Sequence, residues 1–230
     1  IVAPGVLQRG PPHENGGRHL AGPAGYTSFD SLAVERCGNI CVASLVLGGI
    51  NVIAPDGAFV VTSAERARDL TERPAYVLGD GGAVTHFAYS QEPDMTRFGW
   101  ARAARQAFAE AGIGPADIDV AEIYDSYPIY QLIAFEEVGL CGRGEAGGLF
   151  LRGETWPGGR IPTTTDGGML SKGHIGAGGS VSLLIEAARQ VMGKAGPRQV
   201  PGARFALETA TGGTYMDAQV TVLGNEIPGE

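Results

Sequence analysis

Three stretches of the chain carry side chains able to move protons. One is Tyr124-Asp-Ser-Tyr127, one is the glycine-rich run from Thr163 to Ser180 with His174 in its middle, and one runs from Ala210 to Tyr215. If the three converge, Tyr124, Ser126 and His174 are the catalytic candidates. Tyr127, Gly173, Gly213 and Tyr215 would then hold the substrate, the glycines through their backbone amides. Together these are general acid, general base and oxyanion equipment. No second His or Cys stands near His174, so the pattern is not that of a metal site. No Gly-Lys-Ser/Thr follows a G-x-x-x-x run, so it is not a phosphate-binding Walker loop either. A titratable ring just before a helix suits chemistry on an anionic or oxyanionic group. The same residues also fit a tight turn with a packed histidine.

The elements that must position these loops follow from apolar spacing. After the glycines, Val181, Leu184, Ile185 and Ala188 set a helix through Met192. Gly57–Ser63, Pro74–Gly79 and Asp119–Tyr124 read as strands. Ser63–Leu70, Thr96–Gly112 and Tyr130–Leu140 read as helices. In the second of these, Phe98, Ala101, Arg105 and Phe108 set the register, and Gly112 closes it. Ala203–Glu208 and Asp217–Leu223 are two further strands. The order implies an α/β layered αβα domain with a mixed five-stranded sheet, its last two strands antiparallel. In such sheets chemistry gathers where strands end and helices begin. Residues 1–54 read as an irregular segment, and 55–230 as the folded domain. Asp125 has a bland reading as the cap of the helix near Tyr127; Tyr127 and Tyr130 have one as core aromatics, and Tyr215 as a residue edging the sheet. His13, His19 and His86 read as solvated loop histidines.

Composition narrows the function. A net charge of -8 argues against a nucleic-acid partner bound by phosphate neutralisation, although local basic patches for a phosphorylated ligand stay open. No apolar run approaches the ~18 residues of a membrane span, and the opening residues do not read as a secretory leader. Three cysteines, Cys37, Cys41 and Cys141, form no disulfide framework and point to a reducing cytoplasm.

Four ordered motifs then carry a resemblance: Glu122-Ile-Tyr-Asp-Ser-Tyr127, Glu136-Glu-Val-Gly-Leu-Cys-Gly-Arg-Gly-Glu145, Asp166-Gly-Gly-Met-Leu-Ser-Lys-Gly-His174 and Arg198-Gln-Val-Pro-Gly-Ala203. Their succession resembles the C-terminal half of thiolases of the sterol-carrier-protein, lipid-transfer type, over roughly residues 55 to 224. The resemblance implies two similar α/β halves, acyl-CoA thioester substrates, no cofactor beyond coenzyme A as part of the substrate, and a homodimer. It also implies a possible partner, a small OB-fold, zinc-ribbon acyl-CoA-binding protein. By position, His174 takes the place of the family's Gly-His-Pro histidine, with Ile175 where the proline stands. Tyr124 and Ser126 stand where the lipid-transfer type has the His and Cys of His-Asp-Cys-Phe. Thr164 replaces an Asn, and Ala210 or its neighbour falls where ordinary thiolases carry their late cysteine. Val34-x-x-Cys37-Gly38 resembles the surroundings of the nucleophile with one residue too few, which makes Cys37 the candidate nucleophile within this chain.

The departures shape what chemistry is expected. A thiol of pKa about 8.5 can take a proton from carbon, whereas a serine hydroxyl needs a separate base. The resemblance still implies a thiolase-type enzyme that makes or breaks the C–C bond β to a thioester, as an acyltransferase on lipid or sterol-derived substrates. One alternative is a retro-aldol lyase of a 3-hydroxyacyl-CoA of the steroid side-chain type, which needs no acyl-cysteine. Another is a non-catalytic subunit that binds acyl-CoA or a partner protein.

Overall fold

The computed structural model describes residues 29–34, 40–44, 49–53, 64, 67–68, 71–174, 179–212 and 215–229. The chain divides into two units: Ile1–Leu70 with Gly176–Val181, and Thr71–Ile175 with Ser182–Glu230. The first unit contains a three-stranded antiparallel sheet of β1 (Phe29–Val34), β2 (Ile40–Ser44) and β3 (Gly49–Ile53). In its register Val34 faces Ile40 and Cys41 faces Val52. The expectation of an irregular segment to residue 54 is therefore corrected over these strands. Ile40, Val42, Ile50, Val52 and Ile53 are β-branched and favour the extended chain, but their nearly unbroken apolar run hides the alternation that marks a strand.

In the second unit, strands β4 (Tyr76–Val84), β5 (Val120–Glu122), β6 (Phe205–Ala210) and β7 (Asp217–Gly224) form one sheet in the order β4-β7-β6-β5. Only β5 and β6 are parallel; β7 runs antiparallel to both its neighbours. The sheet is mixed, as expected, but has four strands among the described residues rather than five. The expected strand at residues 57–63 lies outside the described residues. On the outer edge of β5 the chain touches the sheet at a single parallel bridge, Thr163 to Ala121. It then leaves at Thr164, where φ is +49°.

Side-chain alternation gives the sheet two apolar faces. Ala121, Leu207, Val220 and Val222 belong to the larger core, with Phe98, with Trp100, Ala103 and Ala107 from helix α1 (Trp100–Ala111) and with Phe135 from α2 (Pro128–Glu137). Val120, Ala206 and Leu223 face the other way, against Ala187 and Val191 of α5 (Gly179–Val191). Two short helices intervene in sequence, α3 (Ala146–Leu151) and α4 (Gly168–Lys172). This is the expected αβα layering. No helix among the described residues is long and apolar enough to cross a membrane.

Helix α1 starts later than its sequence suggests, because Gly99 adopts φ +90° and breaks the helical path after Phe98. Gly112 closes it as expected, at φ +69°. The buried stripe is Trp100, Ala103, Ala104, Ala107, Phe108 and Ala111, so Ala101 and Arg105 do not set the register. The alanines matter because the helix backbone rests directly on β4. A Cβ added at Gly79 would lie 2.1 Å from the Ala107 carbonyl oxygen, and one at Gly81 would lie 2.0 Å from that of Ala103. Backbone cannot yield as a side chain can, so this close approach requires glycine. Gly81→Ala is expected to lower unfolding stability by about 2–3 kcal/mol or more. Gly82→Ala, which meets nothing within 4 Å, should change it by less than about 0.5 kcal/mol. Urea denaturation of the two variants beside the parent chain measures the difference.

Candidate functional site

The site begins where β5 ends. Its ladder with β6 closes at the Glu122–Glu208 pair, and the next backbone donor, Tyr124 N–H, goes to the Thr209 hydroxyl at 2.9 Å. Ile123 and Tyr124 then join the same core, so the strand's alternation ends there. The Tyr124 ring is buried, at 8% exposure, and its hydroxyl lies 2.9 Å from Nε2 of His174, which is itself exposed. The two ring planes stand at 85°. Burial raises the Tyr124 hydroxyl above its ordinary pKa, while the nearby Ser126 side chain works against that rise.

The residue between them, Asp125, ties the two arms of the site together. It is 3% exposed, and its oxygens accept the N–H groups of Met169 at 2.9 Å and Leu170 at 3.2 Å. It therefore caps α4, the helix leading to Gly173 and His174, and not α2, for which Tyr127 is the cap residue without a side-chain bond. Gly168 (φ +60°) passes so close that an added Cβ would lie 2.2 Å from Asp125 Oδ2. Asp166 accepts the Gly168 N–H at 2.9 Å and pairs with Lys172.

Ser126 bonds the hydroxyl of Tyr215, which is buried at 6% exposure. Tyr215 stacks on Tyr130, with centroids 3.6 Å apart. Tyr130 is thus the aromatic of the site wall that sequence reading left between core and function. Tyr127 is 61% exposed and, with Met95, Ile129 and Tyr130, lines an open groove of about 400 Å³. Gly173 is exposed at φ +98°. Tyr124, Ser126, His174 and Tyr215 are therefore brought together, with Tyr127 at their rim. Cys37 and Gly213 lie outside the described residues, as do His13 and His19. His86 is no solvated loop residue: it is 6% exposed, packs against Phe98 and has Nδ1 2.9 Å from the Thr85 hydroxyl. Burial pushes the Cys141 thiol up to about 11, which makes it a poor nucleophile. No group of three or more His, Cys, Asp or Glu placed to hold a metal ion occurs among the described residues.

Beneath this site lies a layer of buried acids that sequence reading missed. Glu122 and Glu186 are fully buried and Glu208 is 3% exposed. The Thr165 hydroxyl lies 2.7 Å from Glu122 and 3.2 Å from Glu186, with one hydrogen to share between them, and Arg198 pairs with Glu186 at 2.9 Å. Oε2 of Glu122 and Oε1 of Glu208 have no hydrogen-bond partner. The available signal was a lone glutamate inside each apolar run, in Val-Ala-Glu-Ile, Ala-Leu-Glu-Thr and Leu-Ile-Glu-Ala. Burial above all pushes Glu122 up to about 8, with Asp166 and Glu186 adding to the rise and the Thr165 hydroxyl opposing it. Glu208 is raised well above the carboxylate range by burial, then by Asp80 and Glu122.

With this geometry in hand, comparison with known proteins decides the family. The thiolase C-terminal domain-like family model matches residues 81–225. The chain belongs to the thiolase superfamily. An acetyl-CoA acetyltransferase of Methanothermobacter thermautotrophicus is 36% identical over 167 residues, which are 72% of this chain and 43% of that protein. Sterol carrier protein 2 of Rattus norvegicus is 42% identical over 107 residues, 46% of this chain and 19% of that one. This thiolase-superfamily chain is thus of the sterol-carrier-protein-2-like type, as its motifs suggested. Among solved structures, an Ltp2-ChsH2(DUF35) aldolase superposes with a TM-score of 0.65 at 32% identity, covering 73% of this chain and 44% of that one. The chain spans less than half the length of the curated relatives it matches.

The raised Glu122 gives this thiolase-like domain a pH signature. Its folded form holds a proton between the ordinary glutamate value of 4.5 and about 8, where the unfolded chain has lost it. Stability from this group is therefore complete below about pH 4.5 and is lost as pH rises through about 8. Glu122→Gln keeps the shape and the acceptor for Thr165 without the titration. Thermal unfolding at pH 5 should leave the variant close to the parent, and at pH 8 should find it more stable by a few kcal/mol, on the order of the linkage.

Proposed function

We propose that the chain is the C-terminal catalytic portion of an aldol-type lyase that cleaves the Cα–Cβ bond of a 3-hydroxyacyl-CoA. The observation that carries this reading is the 2.9 Å contact between the Tyr124 hydroxyl and His174 Nε2. It is an acid–base pair, and none of its steps calls for a cysteine. His174 in its neutral form takes the proton of the substrate's β-hydroxyl. The Cα–Cβ bond breaks as the β carbon becomes a carbonyl, and the electron pair passes to Cα and the thioester as an enolate. Tyr124 protonates Cα, and its phenolate then regains a proton from the imidazolium across the same contact. The hydroxyl proton has moved to Cα and both residues are restored. Burial, which favours the neutral phenol, suits Tyr124 to the donor role.

The aldolase likeness supports this reading, and the acetyltransferase likeness supports a CoA ester as substrate. Acyl transfer is the second reading, favoured by that same 36% identity; it needs an acyl-cysteine, for which Cys37 is the candidate. The paired name of the solved aldolase supports a second polypeptide completing the enzyme, and a homodimer remains a further proposal from family resemblance.

The protein, alone and co-expressed with such a partner, is incubated with a 3-hydroxyacyl-CoA, and the carbonyl product and shortened acyl-CoA are quantified. Tyr124→Phe and His174→Ala are expected to lower kcat by about 10²–10⁴-fold while CoA-ester binding persists. An acyl adduct on Cys37 in intact-mass spectra with a 3-ketoacyl-CoA would replace this reading with acyl transfer. Binding without turnover in the parent protein would leave a binding subunit.

A further inference from the structure

Thr164 carries a branched Cβ at φ +49°, in the left-handed region where such residues are steric outliers. A residue keeps a strained conformation of this kind only when its surroundings fix it, and such residues gather at functional sites. Here the fixing groups can be named. The Thr164 N–H donates to the Ala121 carbonyl at 2.9 Å, and the Thr164 carbonyl accepts the Gly167 N–H at 2.9 Å. Its hydroxyl donates to the Ile123 carbonyl at 3.3 Å and accepts the side-chain amide of Gln131 at 2.8 Å. One hydroxyl can do both, having one hydrogen and two lone pairs. Ile123 is buried and directly precedes Tyr124, whereas Gln131 is half-buried on α2. On the far side, Gly168 passes so close that an added Cβ would lie 2.3 Å from the Thr164 methyl group. Three segments therefore meet at one side chain: the exit of β5, helix α2, and the turn that opens into α4 and leads to His174.

We propose that Gln131 is a positioning residue for His174: its amide, bonded to the Thr164 hydroxyl, holds the left-handed turn that sets α4 and so keeps the imidazole within reach of the Tyr124 hydroxyl. Gln131 acts through the backbone and takes up no hydrogen bond of either ring, so the His174 nitrogen needed as a base is left to the substrate and to Tyr124. That the contact serves catalysis rests on the function proposed above, whereas the hold on the turn does not.

The test follows the His174 ring. The full chain, with ¹⁵N in the rings of its 4 histidines, is measured by NMR, the His174 signals being assigned by their loss in His174→Ala. Tyr124→Phe gives the shifts of His174 without the phenol hydroxyl. Gln131→Met keeps the length of the side chain and drops its donor, and is expected to move the His174 signals toward the Tyr124→Phe values. Where the lyase is active, kcat falls about tenfold in Gln131→Met with KM little changed. Thr164→Gly enters positive φ without strain and has no hydroxyl for Gln131 to hold, so adding Gln131→Met to it should move His174 no further. A residue that only stabilises the fold would lower the unfolding midpoint and leave the His174 signals in place, and that result overturns the proposal. An effect of Gln131→Met that persists undiminished beside Thr164→Gly overturns it too. Should Thr164→Gly fail to fold, unmoved His174 signals in Gln131→Met decide against it alone. Moved His174 signals in a protein that cleaves no 3-hydroxyacyl-CoA would sink the lyase reading and leave this one standing.

Discussion

Asp125 is buried between the two segments that carry the proposed acid–base pair, and both of its carboxylate oxygens are spent on the backbone of α4. A helix of only 5 residues has little stability of its own. What fixes it is the negative charge at its N-terminal end, where unpaired N–H groups and the helix dipole favour an anion. Gly168 lets the helix come this close, since no Cβ fits between it and the carboxylate. The position of His174, just beyond the end of α4, therefore depends on a residue adjacent in sequence to Tyr124. The placements of Tyr124 and His174 are joined through one side chain of the loop that holds Tyr124.

Much of the layered framework was legible because it obeys periodicity. The strands at 120, 205 and 217 and the glycine that closes α1 follow from alternation and from the freedom of glycine at positive φ. The failures have physical causes of their own. Helix α1 turns its alanines inward because Gly79 and Gly81 bring a backbone to meet it, and a scale of hydrophobicity favours Phe98 and misses a contact made by small residues. Beside β5 the chain adds only one bridge, at Thr163, because Thr164 turns it away toward α4. Within the site, Tyr124, Ser126, His174 and Tyr215 were nameable from residue type, but their contacts were not. The cap made by Asp125 spans 44 residues of sequence, and local rules point it at the nearer helix.

The buried acids show what the strand ends tolerate. Glu122 and Glu208 face each other across the parallel pair, and the guanidinium in the layer, Arg198, is engaged by Glu186. Two buried carboxylates side by side cannot both ionise without opposing charge. Neutral acids at this level remove a negative field that would otherwise act on the phenol two residues further on. The arrangement gives up stability at high pH and keeps the region near Tyr124 free of fixed negative charge from these two groups.

The exchange of chemistry at positions 124 and 126 then follows from what a hydroxyl can do. A thiol between two proton-transfer partners can hold the negative charge itself, whereas a serine alkoxide is far too basic at neutral pH. Ser126 is left with hydrogen bonding, and its bond to a buried tyrosine uses that capacity. In the proposed lyase the charge then rests on the phenol of Tyr124 and the imidazole of His174, which lie 2.9 Å apart. In that lyase, a hydroxyl in place of the thiol thus moves proton transfer from sulfur to an aromatic pair.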